Sequence, residues 1–150
     1  MPWFSAEVRR TIPACADVAF NTICDFESYP QWITTIRQAN LLKKTQHGSV
    51  VEFHAHLIVR TIRYVLDYEI DPLLRCLRWT FLEGDILSTN GEFLVLEEGA
   101  HASLAIYRIH ADPGFYVNEL LLFLLKETVM AGVLRDLEKE VRRRKNLLIL

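Results

Sequence analysis

Phe4, Ala6, Val8 and Ile12 alternate with Ser5, Glu7, Arg9 and Thr11 at the start of the chain. A two-residue period is that of a strand with one wet face. Pro13 ends the pattern. Through residues 14–24 the apolar Val18, Phe20 and Ile23 fall at helical spacing, with Asp17 in the first turn where the helix dipole favours an acid. Ser28 stands where it would cap a second short helix, with Pro30 in its first turn, where a missing N–H costs nothing. Strand patterns then follow at 36–44, 49–59, 62–70, 75–82, 87–96 and 101–110. The gaps between them hold His47-Gly48, Asp71-Pro72, Glu83-Gly84-Asp85 and Glu98-Gly99, which are turn residues for short antiparallel connections. Seven strands in meander order are expected.

The last long stretch, 115–144, reads as one amphipathic helix. Phe123, Met130, Leu134, Leu137 and Val141 recur at the steps of a single helical face, and the run from Arg142 to Lys145 suits the negative end of the helix dipole. That face needs a cover, and helix on sheet buries both apolar surfaces. One helix does not fill a strongly curved sheet, so a cavity between them is expected. Leu121, Leu122, Leu125 and Val129 occupy the other side of the helix. Either the sheet wraps both sides, or a patch stays exposed for a second subunit or a membrane surface. The apolar tail from Leu147 to Leu150 adds to that surface, and a homodimer is one expectation.

Composition narrows the function classes. The 150 residues make one domain, 1–150, large enough to bury roughly 70% of its unfolded surface. A net charge of −2 leaves no basic excess for nucleic acid. Cys15, Cys24 and Cys76 form neither an even disulfide set nor a C-x-x-C pair, and the first residues lack the layout of a signal peptide. A cytoplasmic setting is expected. Charges at Glu119, Lys126 and Glu127 interrupt the apolar run near the C-terminus, so no membrane span is expected.

Several motifs occur in an order that resembles a known family. Ile12-Pro13-Ala14, Asp17-Val18-Ala19-Phe20 and the run from Asp25 to Trp32 are similar to the opening signature of the START-related (SRPBCC) superfamily, in its polyketide cyclase/dehydrase-like and coenzyme Q-binding-like branches. Tyr68 to Asp71, Trp79, Gly84, Gly91-Glu92-Phe93, Ser103 to Tyr107 and Asp112-Pro113 fall where that family places its strand and turn marks. The resemblance implies an α+β helix-grip fold: a seven-stranded curved antiparallel sheet, two short helices and a long C-terminal helix enclosing a cavity. It also implies a hydrophobic ligand such as a lipid, quinone or polyketide. Cyclases belong to the same superfamily, and the fold does not choose between the roles.

Candidate site residues follow from strand and helix phase. Tyr64, Leu66 and Tyr68 on one strand and Trp79 and Phe81 on the next should face the interior, and Phe123, Glu127 and Met130 should reach it from the helix. Tyr107 joins this set, although phase alone leaves open whether Tyr107 and Ile109 or Arg108 and His110 point inward. Buried phenols and indoles need partners for their polar tips, and an open pocket leaves those tips for a ligand. Lys126 and Glu127 interrupt the helical stripe, and long charged chains readily reach water at an edge.

Glu52, His54 and His56 alternate on one strand face like part of a two-His-one-carboxylate site, but the apolar Val51, Phe53, Ala55 and Leu57 claim the interior, so no metal is assigned. Arg60, Arg63, Arg75 and Arg78 read as outward strand residues. No hydrolase, phosphate-loop or zinc-protease motif occurs, so no catalytic residue and no cofactor is assigned. Three readings remain: a small-molecule binder, a cyclase/dehydratase-type enzyme, and an interaction module using the apolar helix side.

Overall fold

The computed structural model describes residues 3–58 and 60–149; the expected strand end at Val59 and the tail residue Leu150 lie outside the described residues. β1 (Phe4–Ile12) is followed by α1 (Ala16–Cys24), a tight 3₁₀ turn (Phe26–Ser28) and α2 (Tyr29–Trp32). Then come β2 (Ile36–Lys44), β3 (Gly48–Leu57), β4 (Arg60–Asp71), β5 (Cys76–Gly84), β6 (Ser88–Gly99) and β7 (Ala102–Asp112). The chain closes with α3 (Glu119–Leu124), a π turn (Leu125–Met130) and α4 (Ala131–Ile149).

The strands form one antiparallel sheet in the order β1-β7-β6-β5-β4-β3-β2. The expected meander holds from β2 to β7, while β1 pairs with β7, Phe4 opposite Ala111 and Ile12 opposite Ser103. The two short helices carry the chain from one sheet edge to the other, which one hairpin turn cannot do.

Alternation decides what faces inward. Val51, Phe53 and Ala55 of β3, Leu66 and Tyr68 of β4, and Leu77 and Trp79 of β5 are all buried. Against them α4 lays Leu134, Leu137 and Val141, each essentially without solvent contact. Every such side chain contributes about 1.5–3 kcal/mol by leaving water, and this is what fixes the helix on the sheet. Polar ties at the rim set its position: Arg10 donates to Glu138 at 3.0 Å, Thr34 N–H to Asp136 at 2.9 Å, and Lys145 to the Pro13 carbonyl at 2.7 Å.

Two local expectations are corrected. Ser28 occupies the cap position of α2 without capping it; its hydroxyl donates to the Asp25 carbonyl and accepts from the Trp32 indole. The C-terminal helix begins at Glu119 rather than at 115, where Asn118 caps it by accepting from Leu121 N–H at 2.8 Å. No helix among the described residues is long and apolar enough to cross a membrane.

Candidate functional site

Between the inner sheet face, the short helices and the C-terminal helical stretch lies a cavity of about 260 Å3. Apolar cavities of about 150 Å3 already hold a benzene, so this one has room for a larger ring system. Its floor is the sheet, with Phe53, Tyr64, Leu66, Tyr68, Trp79 and Phe93 among the lining residues. Tyr107 and Ile109 of β7 also line it, which settles the phase of that strand: Arg108 lies outside, between Glu7 at 2.6 Å and Glu92 at 2.7 Å. Over the top come Leu121, Leu125, Val129 and Met130.

The aromatic floor is built by strand register. Phe53 stands opposite Tyr64 across β3 and β4, and Tyr68 opposite Trp79 across β4 and β5. Phe93 stacks on Tyr107 with ring centroids 4.3 Å apart, and Phe26 stacks on Tyr68 at the same distance. Gly91 makes this possible, since a Cβ there would meet the Trp79 ring at 2.5 Å and the Arg108 carbonyl at 2.3 Å.

The polar tips are sparse. Trp79 N–H reaches Thr89 Oγ1 at 3.5 Å, and Tyr29 donates to the Ile23 carbonyl. The hydroxyls of Tyr64, Tyr68 and Tyr107 make no hydrogen bond among the described residues, yet none is sealed away from the cavity space. Burial raises the pKa of all four phenols, Tyr107 to about 12, so they stay neutral donors at any physiological pH.

Three expected lining residues lie elsewhere. Phe123 is 60% exposed and Glu127 is exposed, and neither lines the cavity. The cause is the π turn, whose five-residue step from Met130 to Leu125 shifts the helical phase, so that the half-buried Leu125 and Leu121 continue the cavity-lining stripe. Phe81 shares the inner face of β5 and packs against the core, but it sits where the β4–β5 register slips between Val65 and Leu66 and does not reach the cavity. Strand phase turns Phe53 inward, and it lines the cavity, but phase arithmetic passes over Tyr29 and Thr89. These two come from different elements, and only the fold brings them to the site.

Among the described residues, Arg60 is the one charged residue lining the cavity. It was expected outside, but it shares the even-numbered face of β4 with Ile62, Tyr64 and Leu66, and that parity was already readable. Glu52 is held by Asn40 at 3.0 Å and Arg63 at 2.7 Å, and both bonds lower its pKa; His54 and His56 stand beside it on the outer face. No group of three or more potential metal ligands comes together among the described residues. Burial pushes the Cys24 thiol up to about 12, which makes it a poor nucleophile. A larger groove of about 1060 Å3 crosses the outer sheet face, but it is open, and its guanidinium of Arg108 is already paired with carboxylates. The enclosed cavity is therefore the candidate site.

Shape comparison places this architecture among solved structures. An aromatase/cyclase from Streptomyces sp. R1128 superposes with a TM-score of 0.84 at 18% identity, covering 95% of each chain. The chain has the helix-grip fold. A START superfamily protein from Mycobacterium smegmatis gives 0.84 at 16% identity over 93% of this chain and 97% of that one. A major latex-like protein from Panax ginseng gives 0.75 at 15% identity over 93% and 98%. At these identities the likeness is one of helix-grip fold. No family model and no curated protein matches the sequence.

Proposed function

We propose that this helix-grip chain binds a hydrophobic, ring-bearing small molecule in the cavity under Leu121, Leu125 and Met130. The observation that carries the reading is the set of three cavity-lining phenols, Tyr68 buried and Tyr64 and Tyr107 half-buried, whose hydroxyls lack partners among the described residues in a wall that is otherwise almost wholly apolar. These hydroxyls open onto the cavity space rather than being sealed, so a ligand carbonyl or ether oxygen can accept a hydrogen bond from them, each contributing about 0.5–1.5 kcal/mol. Ring faces of Phe53, Trp79 and Phe93 complement an aromatic or polyketide-like body.

The aromatase/cyclase neighbours favour a second reading, turnover of a poly-keto chain. Proton transfer at neutral pH needs a group that titrates there. No imidazole, carboxylate or amine lines the cavity among the described residues, and phenols with raised pKa values hold a carbonyl better than they remove a proton. This supports binding ahead of catalysis.

Native mass spectrometry of protein from its own host tests the reading. A stoichiometric small-molecule adduct that survives purification and proves hydrophobic on extraction is expected. A ligand-free mass, together with failure to take up any member of a panel of hydrophobic aromatic compounds, would overturn it.

A further inference from the structure

The cavity's mouth carries a charge that its interior does not explain. Arg9, Arg10, Arg63, Arg75, Arg78 and Arg108 each lie within ion-pair distance of a carboxylate. Arg60 has no carboxylate partner among the described residues, and unlike Arg37 and Arg135, which are also without one, it lines the cavity. Strand parity fixes its direction: two residues before Ile62 on the inner face of β4, opposite Leu57 in the ladder. Its neighbour in the lining, Ile58, holds φ at 55°, a conformation that a β-branched residue adopts only when its surroundings enforce it. The hairpin tip thus sets one unpaired guanidinium at the exposed end of an apolar, aromatic-floored cavity.

We infer that the ligand is an amphiphilic acid, with its apolar ring-bearing body among Tyr64, Tyr68 and Trp79 and a single terminal carboxylate or similar oxyanion at Arg60. This rests on the cavity reading above and narrows it. A guanidinium presents a planar fork that matches an oxyanion with two parallel hydrogen bonds. A fully exposed ion pair contributes little, but a ligand seated in the mouth covers the fork on one side and strengthens the contact. The uncharged remainder of the lining disfavours a second charge deeper inside.

Two fluorescent probes separate the claims. N-phenyl-1-naphthylamine is neutral; 1-anilinonaphthalene-8-sulfonate has the same body with one oxyanion. Each is titrated into the wild-type protein, R60Q and R60K, with cross-competition to establish a shared site. Arg60 is exposed and unpaired, so both variants should fold. The ratio of the two affinities should fall by about five- to tenfold in R60Q, with neutral-probe affinity unchanged and R60K partly restoring the ratio. Both probes binding with a ratio that R60Q leaves within twofold would overturn the inference while the cavity reading stands. Binding of neither probe would remove both.

Discussion

Leu125 and Met130 both line the cavity although they stand five residues apart, a step that a π turn places on one face and an α turn does not. The phase of everything N-terminal to the turn follows from that one extra residue. Deleting Glu127, whose side chain is exposed, should convert the π turn to α geometry while keeping Leu121 and Leu125 inward. The melting temperature is expected to stay within about 3 °C of wild type, the shift that roughly 1 kcal/mol produces in a chain of this size, and probe uptake should survive. In a regular helix the same deletion would rotate Leu121 and Leu125 away from the cavity and abolish uptake.

Much of the fold was legible because strand period and turn residues reinforce each other. Six consecutive antiparallel strands follow from alternation between Gly- and Asp-bearing gaps. The pairing of β1 with β7 was not legible, since it joins residues about a hundred positions apart and local pattern carries no such information. Within the site, Tyr64, Leu66, Tyr68 and Trp79 follow from strand parity, and Arg60 obeys the same parity despite its polar type. Phe123 and Glu127 lie away from the cavity because the segment between Leu125 and Met130 departs from the 3.6 residues per turn that the sequence pattern implies.

Gly91 allows β6 to run close under the Trp79 ring. In Gly91→Ala the new methyl meets both that ring and the Arg108 carbonyl, so the strand or the indole must move. A loss of about 1–3 kcal/mol in urea unfolding is expected, the usual cost of overpacking. Trp79 fluorescence should change as well, since the indole is the movable partner.

Glu140 is buried on α4 and accepts from Arg143 at 2.8 and 2.7 Å and from Arg144 at 2.8 Å. The Arg143 bonds, with help from Arg144, hold its pKa below the ordinary 4.5 despite the opposing effect of burial. A depressed folded-state pKa means stability that is present above the unfolded value and lost as pH falls through the folded one. Glu140→Gln should therefore cost about 1.5–3 kcal/mol at pH 7. The gap to wild type should stay constant down to about pH 5 and close in more acidic solution. A gap that widens in acid would contradict this account.

The central claim, that the enclosed cavity takes up a hydrophobic molecule, is tested most directly by filling it from the helical side. Leu125→Trp adds a ring at a position that lines the cavity from the C-terminal helical stretch. Titration with N-phenyl-1-naphthylamine should give saturable one-to-one binding to wild type and at least a tenfold weaker constant for Leu125→Trp, a loss of about 1.4 kcal/mol or more, with the fold intact by circular dichroism. Equal binding by the folded variant and wild type, or no saturable binding by wild type, would contradict the account.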